Sequence, residues 1–175
     1  MVPLEITGQK ADTVHMFEPD QTAPACVRTA VVPVWFNRAH YQQAHGGAHH
    51  AALLWNTLVA WMRDEWNAGR KPGKYELKRY ATALDRSDYS LHAHTVQAVA
   101  FDVYDAISTS RANRRNGLKV RAPWREKKYR PLVFTRNFGW RETAEGKLAL
   151  SFGRGQKRIV IPMPTVVDAR TGLPV

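Results

Sequence analysis

Residues 111–130 read RANRRNGLKVRAPWREKKYR, and they separate a helical pattern before them from a strand pattern after them. The stretch holds nine lysines and arginines against one acid, Glu126. Gly117 and Pro123 keep most of it from forming one continuous helix. We therefore predict a basic connector at which the fold changes from helices to strands.

The positive charge of the chain is concentrated in its second part. Residues 1–110 contain 10 Lys and Arg and 11 Asp and Glu, a net charge of −1. Residues 111–175 contain 16 and 4, a net charge of +12, and the whole chain carries +11. Such asymmetry indicates a polyanionic partner for the second part. The alternative is a solubilising surface, but such surfaces normally mix both signs, so a nucleic-acid-binding face is favoured.

Length and composition exclude several classes of protein. With 175 residues the chain has room for one domain, or for a domain with a sizeable insertion. A hydrophobic content of 44% predicts a packed core. No apolar run approaches the roughly 20 residues of a membrane span, and the N-terminus lacks a secretory signal. Cys26 is the only cysteine, which excludes an internal disulfide and a CxxC zinc site. These features predict a cytoplasmic protein.

Three helices are predicted between an early strand and the connector. After a mobile tail at 1–26, residues 27–36 (VRTAVVPVWF) favour a strand with Pro33 at an edge or a bulge. Gly46 and Gly47 are interpreted as a break in the chain. Apolar residues then recur at helical spacing, which predicts helices over 48–67, 76–84 and 91–115.

After the connector the apolar residues alternate with a period of two, which is typical of strands. This pattern predicts strands over 132–136, 147–152 and 158–162, the last two forming a hairpin around the turn GRGQ. Because the early strand has no local partner, we predict an α+β fold: a small antiparallel β-barrel interrupted by a three-helix insertion. The predicted divisions are a barrel at 27–45 plus 118–165, a helical insertion at 46–117 and a C-terminal tail or linker at 166–175.

No enzymatic site, metal site or cofactor is predicted. His45 and His49 are four residues apart, but the two glycines between them argue against a shared helix face, and no Cys or acid completes a ligand set. Asp102 and Asp105 have a spacing that could hold Mg²⁺, but ordinary surface acids have the same spacing. Neither pair is therefore predicted to bind a metal ion.

The cations of the second part are predicted to hold phosphates, and aromatic residues among them to stack on unpaired bases. Trp55, Trp61 and Trp66 lie on an apolar helix and are predicted to be core, whereas stacking and packing are equally favoured for Trp124. The predicted nucleic-acid-binding residues are Arg111, Arg114, Arg115, Lys119, Arg121, Trp124, Arg125, Lys127, Lys128, Tyr129, Arg130, Arg136, Arg154, Lys157 and Arg158.

Residues 89–134, YSLHAHTVQAVAFDVYDAISTSRANRRNGLKVRAPWREKKYRPLVF, followed by GKLALSFGRGQKRIVIP, are similar to the N-terminal part of TnpB. TnpB is the transposon-encoded, RNA-guided DNA nuclease ancestral to the type V CRISPR effectors. The resemblance extends roughly from Val27 to Pro164. It rests on the order of its patterns rather than on one unique motif: Thr95-Val96-Gln97, Asp102 to Ala106, Gly117-Leu118-Lys119 and Pro123 to Lys128.

The resemblance implies a wedge β-barrel of the oligonucleotide-binding type, into which a helical recognition domain is inserted. Together they would hold a guide RNA and read a short motif in the target DNA duplex, with Asn56, Thr95 and Gln97 as candidate contacts to base edges. The family's RuvC nuclease and zinc ribbon have no counterpart in this sequence. We therefore expect a module that is non-catalytic alone and nucleoid-associated in a prokaryotic cytoplasm. A separate RuvC-bearing chain or a second copy are further candidate partners.

Two other functions stay open at this point. A free-standing helix-turn-helix repressor would dimerise and bind a palindromic operator without RNA. A structural subunit would use the basic face to dock an acidic protein, and its association would be insensitive to nucleases.

Overall fold

Three helices form where apolar residues recur with a helical period, and three strands form where they alternate. The computed structural model describes residues 36–85, 89–134, 138–153 and 155–163. One cluster of buried side chains joins the helices to the sheet, so the fold is an α+β arrangement. In chain order the elements are α1 (Arg38–Asn67), α2 (Lys74–Ala83), α3 (Ala93–Arg115), β1 (Trp140–Glu142), β2 (Lys147–Leu150) and β3 (Ile159–Pro162).

Helix α1 begins earlier than predicted, at Arg38 rather than at Ala48. The side chain of Asn37 caps it, because Asn37 Oδ1 accepts a hydrogen bond from the backbone N–H of His40 at 2.8 Å. Helices α2 and α3 lie close to their predicted ranges, and α3 packs against both of the others.

The predicted chain break at Gly46 and Gly47 is wrong, because α1 passes through both glycines. A Cβ atom at Gly47 would lie 3.0 Å from Leu132 Cδ1 and 3.2 Å from Phe152 Cδ1. Gly47 therefore allows the end of the connector and the sheet to approach α1 closely. Apart from the adjacent residues and the nearby backbone of α1 itself, no atom lies within 4 Å of a Cβ built at Gly46, so the two neighbouring glycines differ in their surroundings.

The sheet is antiparallel, with the strand order β1-β2-β3. The predicted hairpin is confirmed, since β2 pairs with β3 and places Leu148 opposite Ile161. The predicted inward residues are all buried: Leu148, Leu150, Phe152, Ile159 and Ile161. The alternation of burial is confirmed on β3, where Val160 is exposed, but not on β2, where Ala149 is buried as well.

The predicted closed β-barrel is wrong. The described residues contain an open sheet of three strands in which β1 and β3 are edges. Residues 132–134 were predicted to add a strand, but they form no ladder there. They instead bury Leu132 and Phe134, whose ring meets that of Phe152 edge-on at 5.1 Å, so side-chain packing takes the place of strand pairing. The predicted strand residues 27–35, Thr135 and Arg136 lie outside the described residues.

Candidate nucleic-acid interface

The connector, defined here as residues 116–134, runs back along α1 from the end of the helix toward its beginning. Trp124 meets Trp66 edge-on, with 5.5 Å between the ring centroids. Further along, the backbone N–H of Arg130 donates a hydrogen bond to the carbonyl oxygen of Ala48 at 3.0 Å. The connector thus has no regular secondary structure but is held along the length of a helix.

Asn56 fastens the middle of the connector to α1. Its Nδ2 donates to the carbonyl oxygen of Lys127, and its Oδ1 accepts from the backbone N–H of Lys127, both at 2.9 Å. The side-chain amide therefore pairs with one backbone unit in both directions. Asn56 was predicted to contact base edges, and here both ends of its amide are used inside the protein.

Two cations of the connector lie against the indole ring of Trp55. Arg130 Cζ is 3.8 Å and Lys127 Nζ is 4.0 Å from the ring centroid, and Trp55 itself is only 2% exposed. Arg130 also pairs with Asp102, with 2.7 Å between Nη2 and Oδ2. Its side chain is 12% exposed, whereas that of Asp102 is 44% exposed. Cation–π contacts of this kind contribute about 0.5–2 kcal/mol each.

The three charged residues beside Trp55 have shifted pKa values; they are Arg130, Lys127 and Asp102. Burial lowers the pKa of Arg130, and the Asp102 carboxylate opposes that shift. Burial, followed by repulsion from Arg130, lowers the pKa of Lys127, while Asp102 opposes both. Burial raises the pKa of Asp102 despite the attraction of Arg130. Desolvation is thus the largest cause of the pKa shift in all three groups, because burial disfavours the charged form.

Contacts at the end of α3 fix the first part of the connector. Arg111 Cζ lies 4.6 Å from the ring centroid of Trp66. Arg114 Nε donates to the carbonyl oxygen of Val120 at 3.1 Å, and Ser110 Oγ donates to the carbonyl oxygen of Arg121 at 3.2 Å. These contacts turn the chain back toward α1 immediately after the helix.

The remaining cations of the connector point into solvent. All are exposed, and within the described residues none has a side-chain hydrogen bond or ion pair; they are Lys119, Arg121, Arg125 and Lys128. Arg115, the last residue of α3, is exposed in the same way. Lys157 and Arg158, on the turn between β2 and β3, are exposed in the same way. Arg136 and Arg154 lie outside the described residues. The predicted set of cations therefore divides into anchors and free charges.

Thr95 and Gln97 are placed on α3. Thr95 is buried, and its hydroxyl donates to the carbonyl oxygen of Val133 at 3.2 Å, so it ties α3 to the end of the connector. Gln97 is half-buried. That these residues read DNA stays a prediction, and for Thr95 the structure provides a partner inside the protein.

A row of aromatic rings lies beside Lys128, one of the free cations, and was not predicted from the sequence. Tyr41, His45 and His49 lie along α1 at intervals of four residues, and Tyr129 of the connector packs among them. The signal was present as the Tyr-x₃-His-x₃-His spacing. Interpreting the two glycines as a break concealed it, because the three side chains share a face only if the helix continues.

Comparison with known proteins identifies no relative of this chain. No protein-family model, no curated protein and no solved structure matches this chain. Across the ranges that the structure describes, no three or more His, Cys, Asp or Glu residues are grouped so as to hold a metal ion. In the same ranges, no helix combines the length and apolar character needed to cross a lipid bilayer.

Proposed function

We propose that this protein binds RNA through the free cations of its connector. The observation that carries the proposal is the set of four exposed cations, with no hydrogen bond or ion pair among the described residues, on a segment whose other side is anchored to α1. Exposed cations of this kind neutralise phosphates and release counterions on binding.

The shape of the connector favours RNA with unpaired bases over duplex DNA. Sequence reading in the major groove uses an inserted helix or a two-stranded ribbon, and the connector is neither. Recognition of RNA instead relies largely on phosphate contacts and on aromatic rings that stack on unpaired bases. Tyr129, which is 43% exposed among the cations, meets that requirement.

The finer proposal is a guide-RNA-binding module of a TnpB-like effector, non-catalytic alone and located in the prokaryotic cytoplasm at the nucleoid. Its support is the similarity of residues 89–134, which contain the connector. The closed barrel that this similarity implied is absent from the described residues, so the finer proposal rests on the sequence motifs alone. Sequencing the RNA that co-purifies with the chain tests it. One dominant RNA species would support a guide, whereas a broad mixture would contradict a guide and leave RNA binding intact.

A salt titration tests RNA binding itself. In a variant carrying Arg121→Glu, Arg125→Glu and Lys128→Glu, we expect weaker binding to a structured RNA with single-stranded loops. The slope of log Kd against log salt should fall by about 0.7 to 1 for each lost phosphate contact. Filter binding at several KCl concentrations measures both quantities.

A matched variant separates local contacts from net charge. Arg63, Lys71 and Arg79 are three exposed cations on or between α1 and α2, outside the connector. Their reversal to Glu changes the net charge by the same amount and should leave the slope nearly unchanged. Equal losses in the two triple variants would contradict an interface at the connector. Binding that does not respond to salt would contradict the proposed function as a whole.

A further inference from the structure

Four rings form a continuous row on the surface beside the connector. The centroids of Tyr41 and His45 are 5.6 Å apart, those of His45 and Tyr129 are 4.6 Å apart, and those of Tyr129 and His49 are 6.0 Å apart. Tyr41 and Tyr129 are each 43% exposed, and His49 is also exposed. We call Tyr41, His45, Tyr129 and His49 the ring row.

The ring row is held in place before any ligand arrives. His45 and His49 are one helical turn apart on α1, so their spacing is set by the helix. His49 Nδ1 lies 3.2 Å from the carbonyl oxygen of Lys128. Because a carbonyl oxygen only accepts, Nδ1 carries the hydrogen, and this bond fixes the connector beside Tyr129. Little side-chain freedom would then be lost on binding, which favours affinity.

Charge distinguishes the ring row from other exposed aromatic residues. Tyr75, on α2, is 72% exposed, but the neighbouring Lys74 is paired with Asp105 at 2.9 Å. Next to Tyr129, by contrast, Lys128 is exposed, and its Nζ lies 5.6 Å from the Tyr129 ring centroid. An apolar ring face beside an unpaired cation matches a nucleotide, which has a flat base joined to a phosphate.

The ring separations indicate where bases would lie. Stacked bases are about 3.4 Å apart, so a base inserted between two rings needs roughly 7 Å between them. The separations of 4.6 to 6.0 Å are too small for insertion. Bases must therefore stack on the outward surfaces of the row, and the two half-exposed tyrosines provide those surfaces.

From this geometry we infer that the ring row is a stacking platform for two unpaired RNA bases, one at Tyr41 and one at Tyr129, with Lys128 at an adjoining phosphate. This inference rests on the proposed RNA binding and specifies its ligand as single-stranded. The interface would then bind RNA through base stacking on the tyrosines as well as through contacts between cations and phosphates.

Tyrosine substitutions test the platform. Tyr41→Ala and Tyr129→Ala should each weaken binding of a single-stranded RNA oligonucleotide about 5- to 150-fold, the range expected for loss of one base–aromatic stack. Tyr41→Phe and Tyr129→Phe keep the ring and should restore most of the affinity. The salt slope should stay as in the wild type, because no phosphate contact is lost. Tyr75→Ala, at an exposed tyrosine outside the row, is the matched control and should have no effect.

A fluorescent base provides a second readout. Binding should quench 2-aminopurine placed in the single-stranded oligonucleotide, and the alanine variants at the row should abolish the quenching. The same oligonucleotide in a full duplex should bind less tightly and without quenching. Urea unfolding of each variant shows whether it is folded, and because Tyr41 and Tyr129 lie on different segments, one variant suffices if the other unfolds.

The outcomes separate the two proposals. Salt-dependent RNA binding that is equal for duplex and single strand, and unaffected by either tyrosine substitution, would overturn the platform and leave the proposed function standing. Absence of RNA binding by the wild-type chain would overturn both.

Discussion

The two sides of the connector carry the same kind of charge in different surroundings. The side that faces α1 contains Trp124, Lys127 and Arg130, which meet the tryptophans of that helix. The side that faces solvent contains Arg125 and Lys128, both exposed. Every third residue between positions 124 and 130 thus contacts a tryptophan of α1, and of these three Lys127 is also exposed to solvent. A basic run can therefore be partly structural: some of its cations hold the segment in place, and the others remain available for a ligand.

Replacing one cation on each side should give the largest contrast in stability. Arg130→Ala removes both the contact with Trp55 and the ion pair with Asp102. We expect a loss of about 2–3 kcal/mol in the free energy of unfolding, less than for a fully buried pair because Asp102 is partly solvated. Arg125→Ala should change stability by less than about 0.5 kcal/mol. Urea denaturation measures both, and equal effects would show that the two sides do not differ.

The glycine pair of α1 tests how closely the end of the connector packs. Gly47→Val should destabilise the protein by about 1–3 kcal/mol, because its side chain would overlap Leu132 and Phe152, which are buried. Gly46→Ala should stabilise it by about 0.5–1 kcal/mol, since nothing lies near that position and alanine favours the helix. Thermal unfolding of both variants checks the prediction. Stabilisation by Gly47→Val would mean that the connector does not approach α1 there.

Asn56 tests the attachment at the middle of the connector. Asn56→Ala removes both hydrogen bonds to the backbone of Lys127 and should cost about 1–2 kcal/mol. Asn67→Ala, at the exposed end of the same helix, is the control and should be close to neutral. Hydrogen exchange at the amide of Lys127 gives a local readout, and its protection should fall only in the first variant. Unchanged protection would contradict the role assigned to Asn56.

Much of the fold could be predicted from the spacing of apolar residues that are close together in the sequence. The apolar stripe of α3 and the alternation of Leu148 and Leu150 predict a helix and a strand, because each depends only on the local backbone period. The hairpin followed from two alternating runs joined by a short turn. The early start of α1 did not follow, because Gly46 and Gly47 were assessed by their local preference, whereas packing against Leu132 and Phe152 accounts for a glycine at 47.

The candidate interface could likewise be predicted only in part. Its position in the chain and its positive charge are properties of residues 111–130 alone, and they could be predicted without coordinates. Which cations are free depends on contacts with Trp55, Trp66 and Asp102, which are distant in sequence. The ring row likewise requires Tyr129 to reach α1 from the connector. The composition of residues 111–130 is therefore sufficient to predict that this surface is basic. Which charges and rings face solvent depends on the folded chain, because burial is set by side chains brought together from separate segments.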